Sequence, residues 1–340
     1  MIQLKTFLTI SIGALICISC ATPQTNIPQP NTVPVIRQSP VIERNQIPTQ
    51  STYPVYRPIP SISTPIPTQA ISPVTQLNQK PPQISKSLLT LSNKSAAVPG
   101  GIAWVPLESQ GTIPPNIHYQ QRRVVVLHDG KQWIALVGIP LSAKLGRHTV
   151  IDQQTRKRYS FTVKPKKYKT QRIRLKNKRK VNPNRKDLQR INHERQRINT
   201  ALASPWQATT TSPLPLTQPV HGRFSSPFGL RRFFNGQRRN PHSGLDIAAP
   251  LGTSVAAAAT GQVVNTGHYF YTGNTVIINH GQGIVTLYGH LNTIAVQSGQ
   301  TVKRGQKIGT VGKTGRATGP HLHWGVAINY TMVNPKLVTR

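Results

Sequence analysis

The sequence predicts a mainly β protein: a small antiparallel β sandwich and a C-terminal antiparallel β domain, joined by a basic helical connector. Three observations carry that prediction. Short runs of β-branched and aromatic residues recur through 88–165 and again through 204–340. Glycine-bearing turns separate the runs of the second region at regular intervals. A helical apolar period appears only near 184–203.

Residues 1–19 read as an export signal. Lys5 precedes an apolar run over 7–18, which falls short of the ~20 apolar residues a membrane span needs. The run ends Cys17-Ile18-Ser19-Cys20. Small Ser19 before Cys20 resembles a bacterial lipoprotein cleavage site, although Cys17 stands where such sites usually carry Leu. The resemblance implies a lipid on Cys20 that anchors the chain to a membrane, and Ala21 implies the outer one. Cleavage before Cys20 leaves a single, lipid-bearing cysteine, which excludes disulfides and thiol catalysis.

Residues 20–87 are dense in Pro, Thr, Ser and Gln, as in Pro58-Ile59-Pro60 and Pro65-Ile66-Pro67, with no sustained hydrophobic period. Such a composition builds no core and favours extended, polyproline-like chain. It reads as a tether with a reach of up to ~200 Å.

In 88–165 the β-prone runs fall at 102–105, 123–127, 133–137, 147–151 and 159–163, with Asp129-Gly130 as a hairpin turn signal between the second and third. No catalytic constellation lies here, and His128 and His148 read as surface or sheet residues. A dense Lys/Arg run over 164–180 opens the connector, 166–203. Asn184 after Pro183 is placed to cap a helix to about 203, with Leu188, Ile191, Ile198 and Leu202 on a narrow apolar stripe.

The chain carries a formal charge of +35. Nucleic acid is the reflex partner of so basic a protein. An exported chain meets little of it, so anionic cell-wall polymer and lipid head groups rank above it.

In 204–340, strands are expected at 254–258, 261–266, 274–279, 284–288, 308–311 and 323–328. About 130 residues suffice for an independent core. Chemistry gathers between His242 and His323, in His242-Ser243-Gly244-Leu245-Asp246, in Tyr288-Gly289-His290-Leu291 and in Pro320-His321-Leu322-His323. The domain holds twelve Lys or Arg and one acidic residue, Asp246. A lone carboxylate four residues after a histidine suits a metal better than solubility. Catalytic zinc takes three protein ligands and keeps one position open, and His242, Asp246 and one histidine of His321-Leu322-His323 can supply three. Residues 321 and 323 of a strand face the same way, about 6.5 Å apart. Gly244 and Pro250 argue for a loop entering a strand rather than a helix around Asp246.

These residues resemble the lysostaphin-type zinc metallopeptidases, the LytM domains of cell-wall hydrolases: H-x-x-x-D, a later Tyr-x-His-Leu, then H-x-H. The resemblance covers about 220–335, including Phe228-Gly229-Leu230-Arg231. It implies the LytM/lysostaphin fold, one Zn2+ on His242, Asp246 and His323, and His290 and His321 as the catalytic, non-ligand histidines. The domain contains no Glu to act as general base, so proton handling falls to those two imidazoles. Trp133, Gly138-Ile139-Pro140 and the 168–171 region resemble the N-terminal domain of many Gram-negative members. The implied function is hydrolysis of peptidoglycan crosslinks by a D,D-endopeptidase in the cell envelope. The alternative is a non-catalytic wall-binding or amidase-activating module, although such relatives lose site residues and none is lost here. His221, His268 and His280 read as loop or strand residues, with His280 the one candidate for a place beside the cleft.

Overall fold

A computed structural model describes residues 96–109, 111–209 and 211–340. The export signal, the tether and Cys20 lie outside the described residues. No helix among the described residues is long and apolar enough to cross a membrane.

The N-terminal strands are β1 (Ile102–Leu107), β2 (Ile117–Tyr119), β3 (Arg122–Arg123), β4 (Val125–His128), β5 (Trp133–Gly138), β6 (Gly146–Asp152) and β7 (Arg158–Val163). They form two antiparallel sheets, in the orders β1-β5-β4 and β3-β2-β6-β7. Asp129 closes the β4–β5 turn by accepting the N–H groups of Lys131 and Gln132 at 2.8 Å each, and Gly130 takes the left-handed conformation there (φ 98°). Strand periodicity explains why β5 is buried throughout. Trp133, Ala135 and Val137 face the sandwich core with Leu107, Ile117 and Val150. Ile134 and Leu136 share a second core with Val326, Ile328 and Val333 of the C-terminal domain. The sandwich and the C-terminal domain therefore fold against one another.

Asn329 fastens that contact. Its Oδ1 accepts the Gly138 N–H at 2.7 Å and its Nδ2 donates to the Gly138 carbonyl at 3.3 Å. The side chain thus replaces a strand neighbour for a buried backbone group. Asn329→Ala orphans that N–H, and a buried unsatisfied donor costs about 1–3 kcal/mol. The expected result is a loss of about 2 kcal/mol in denaturant unfolding; an unchanged midpoint would show that the two domains are held by their apolar contact alone.

The connector departs from the helical expectation in its first part. Thr170–Ile173 is a strand, β8, paired in parallel with β10 (Arg231–Phe234), which makes a hairpin with β11 (Gln237–Arg238). Its residues, Thr-Gln-Arg-Ile, sit in a basic run whose composition masks them. The helix α1 spans Arg185–Leu202, and the Asn184 side chain accepts the Asp187 N–H. Ile191 and Ala201 are buried, and Ile198 and Leu202 pack on Ile277, Val285 and Leu287. Leu188, expected on the stripe, is instead exposed. Asp187 is held by Arg179 through two 2.6 Å contacts, and Glu194 accepts the Phe270 N–H at 2.7 Å.

Apart from the β10–β11 hairpin, the strands of the C-terminal domain form one antiparallel sheet. Its strands are β9 (Arg223–Ser226), β12 (Leu245–Ala248), β13 (Ser254–Ala256), β14 (Gly261–Tyr269), β15 (Gly273–Asn279), β16 (Ile284–Ile294), β17 (Thr301–Val302), β18 (Lys307–Val311), β19 (Leu322–Ile328) and β20 (Thr331–Val333). The order is β17-β14-β15-β16-β19-β12-β9, with β18 linking β13 to β16 and β20 added to β19. Val255, Ile278, Tyr288, Leu322 and Val326 fill its core.

Candidate active site and metal centre

Strand alternation builds the site. Leu245 and Ile247 of β12 are buried in the core, which turns Asp246 to the opposite face. β12 pairs with β19 so that Asp246 lies directly across from His323, and β16 brings Gly289 to the other side of His323. Leu322 is fully buried, so His321 and His323 both face the cleft. His242 precedes β12 and is clamped by the Phe-Gly-Leu segment: its N–H donates to Leu230 at 2.9 Å and its carbonyl accepts from Gly229 at 2.8 Å. Gly244 cannot carry a side chain, because a Cβ there would stand 2.6 Å from His323 Cε1 and 2.7 Å from the Trp324 carbonyl.

Three donor atoms converge. His242 Nε2 lies 2.9 Å and His323 Nδ1 2.8 Å from Asp246 Oδ1, and the two nitrogens are 3.0 Å apart. His242 Nδ1 stands 2.9 Å from the Pro227 carbonyl, so it carries the proton and Nε2 presents a lone pair. Burial pushes His242 down to about 4, against the raising effect of Asp246. Burial alone would raise Asp246, but its contacts with His242 and His323 hold it well below the usual carboxylate range. A neutral imidazole lone pair therefore faces a carboxylate in a buried pocket, an arrangement that asks for a cation. Two imidazole nitrogens and one carboxylate oxygen are a donor set for zinc, and these residues fit it.

His290 and His321 flank the three donors. The ring centroids of His290 lie 4.7 Å from His321 and 5.9 Å from His323. His290 Nδ1 is 2.8 Å from the Thr314 carbonyl and His321 Nδ1 is 2.8 Å from the Gly319 carbonyl. Each Nδ1–H is therefore committed to the backbone and each Nε2 is an acceptor. Burial, with His323 and His321 nearby, lowers His290 to about 3, so it rests neutral. The backbone at His290 is left-handed (φ 62°), and its N–H donates to Thr272 at 2.6 Å. The β15–β16 register shifts at this point, and such a bulge re-aims the side chain out of the ladder.

Two contributors are not among the site residues expected from the sequence. Arg232 Nη2 donates to Asp246 Oδ2 at 3.0 Å and to Ser226 Oγ at 3.1 Å, and its Nε donates to Gln171 Oε1 at 3.1 Å. It holds one carboxylate oxygen, leaving Oδ1 to face the two imidazole nitrogens, as an outer-shell partner would. Gln171 and Ile173 of β8 meet Asp246, His290 and His321 around a cleft of about 230 Å³, so the connector forms one of its walls. His280 is a core residue, 2.9 Å from the Thr260 carbonyl and 2.7 Å from Thr286 Oγ1. His221 and His268 are exposed.

Residues 240–335 match Peptidase family M23 and residues 95–166 match the Peptidase family M23 N-terminal domain. A crystal structure from Pseudomonas aeruginosa described as a peptidase M23 is 39% identical, covers 74% of this chain and 97% of its own, and superposes with a TM-score of 0.62. The chain belongs to peptidase family M23. The M23 domain is 47% identical over 113 residues to peptidoglycan DD-endopeptidase ShyA of Vibrio cholerae, covering 33% of this chain and 26% of that protein. It is 46% identical over 116 residues to DD-carboxypeptidase/endopeptidase Mpg of Neisseria meningitidis, covering 34% and 27%. The matched segment thus spans about a quarter of the length of these curated relatives.

Proposed function

We propose that this protein is a zinc-dependent D,D-endopeptidase that hydrolyses the peptide crosslinks of peptidoglycan. The observation that carries the reading is the convergence of His242 Nε2, Asp246 Oδ1 and His323 Nδ1 beside two imidazoles whose Nε2 atoms are free to accept protons. Those three residues would hold the metal. Zinc, when bound, lowers the pKa of a water and polarises the scissile carbonyl. His290 and His321 divide the remaining work. One takes the proton of the attacking water at Nε2 and passes it to the leaving amine, and the other stands beside the developing oxyanion. Arg232 keeps Asp246 oriented.

The relatives named as peptidoglycan DD-endopeptidases support the substrate. The export signal over 1–19 and the tether over 20–87 support a cell-envelope lipoprotein, anchored by Cys20 in the outer membrane and reaching into the wall.

The test is digestion of purified crosslinked peptidoglycan with zinc counted in the same sample. Crosslinked dimers should fall to monomers at about one zinc per chain, and a chelator should stop the reaction until zinc is restored. Binding of peptidoglycan by zinc-loaded protein without any cleavage would instead make this a recruiting module.

A further inference from the structure

A larger cavity, of about 650 Å³, opens between α1 and the M23 domain. Arg195 of α1 and Arg238 and Arg239 of the β10–β11 hairpin line it, over Tyr269 and Tyr271. Arg316 lines both this cavity and the catalytic cleft, so one side chain borders the two.

Arg316 is placed unusually for a cation. Its guanidinium lies 4.1 Å from the Tyr271 ring centroid and 4.5 Å from that of Phe234. Contact with two aromatic rings restrains the planar group and displaces water from it. Burial, with Arg232 and Arg239 close by, lowers it to about 10, which leaves it charged at neutral pH. Among the described residues it has no carboxylate partner. The acidic residue of the cleft, Asp246, is held by His242, His323 and Arg232. That of the cavity, Glu194, gives Oε1 to Arg190 and Oε2 to the Phe270 N–H. A partly desolvated, oriented cation without a counter-ion is costly unless a ligand supplies one. Arg195, Arg238 and Arg239 extend the same sign of charge away from the cleft, so the missing counter-charge is an extended anion rather than a point ion.

We propose that Arg316 receives a carboxylate of the substrate beside the scissile peptide bond, and that the arginine-lined cavity holds the anionic continuation of that peptide strand. This deepens the endopeptidase reading and rests on it. The preferred substrate is then an acidic crosslinked peptide, and a peptide whose free carboxylates are amidated is a poor one. Arg316 is a specificity-determining residue: its fork offers two parallel N–H donors to a carboxylate, and an amide cannot accept both.

The test compares a soluble D-alanyl–diaminopimelate crosslinked peptide dimer with the same dimer amidated at its free carboxylates, using the zinc-loaded protein. The acid form should have a KM lower by on the order of 10-fold at similar kcat. Equilibrium binding in His290→Asn, where turnover is suppressed, should show the same gap. Arg316→Gln should bring the acid-to-amide ratio close to one, mainly by weakening the acid form. Equal affinity for the two dimers in the unsubstituted protein, or a gap that survives in Arg316→Gln, overturns the proposal. Weakening of both dimers alike would mark Arg316 as a structural clip, which also overturns it. If Arg316→Gln fails to fold, the exposed pair Arg195→Gln/Arg238→Gln should narrow the gap about 3-fold, and an unchanged gap there refutes the cavity's role. A gap in binding without any hydrolysis would retain the anion site and discard the endopeptidase reading.

Discussion

His323→Ala should reduce crosslink hydrolysis by more than about 1000-fold, with bound zinc falling from near one per chain to a trace in the same preparation. The choice of this residue over Asp246 follows from the ion pairs. Asp246 is the partner of Arg232, whose side chain is only 16% exposed. Removing the carboxylate would leave that guanidinium buried and unpaired, a change that typically costs 3–5 kcal/mol, so lost activity in Asp246→Ala would be confounded with lost fold. His323 carries no such obligation. Its side chain is 12% exposed, and neighbouring Leu322 and Trp324 keep β19 in the core. A His323→Ala protein that melts cooperatively and binds peptidoglycan but neither holds zinc nor cleaves would isolate the metal. Full hydrolysis in that variant would remove the triad from the mechanism.

The residues of the candidate metal site stand out in the sequence because their signal is local and their chemistry is rare. Asp246 is the one acid among 137 residues, four positions after a histidine, and His321 and His323 sit at strand spacing. Strand positions in the core are legible for the same reason: β-branched runs between glycines say where the chain is extended. What escapes is whatever depends on pairing between distant segments. Arg232 looks like any other arginine until β12 and β10 set it against Asp246. The strand at Thr170–Ile173 has no apolar run of its own, and forms because β10 offers a parallel edge. The left-handed backbone at His290 arises from a register shift between two long strands, each of which reads as regular by itself. The exposure of Leu188 follows similarly, since a helical stripe shows which face is apolar and not how far the partner surface extends. The docking role of Asn329 depends on Gly138, 191 positions away in sequence, so no local pattern shows it.

That left-handed backbone decides how the proton-handling role of His290 is best tested. Alanine at φ 62° adds backbone strain, of order 1 kcal/mol or more, to the loss of the ring. Asparagine visits this region more readily than most residues, and its side-chain amide can keep the hydrogen bond that Nδ1 makes with the Thr314 carbonyl. His290→Asn therefore removes Nε2 and little else. It should retain its zinc, since His290 is outside the converging donor set. Its melting temperature should move by only a few degrees, because a loss near 1 kcal/mol shifts a domain of this size by about 2–4 °C. kcat should fall by about 100- to 10,000-fold, the usual span for losing a positioned general acid or base, with KM little changed. A variant that loses zinc would make His290 a ligand. One that keeps both zinc and full kcat would leave His321 to handle the proton alone, and the buried, neutral state of His290 would then serve to keep solvent away from the reacting bond.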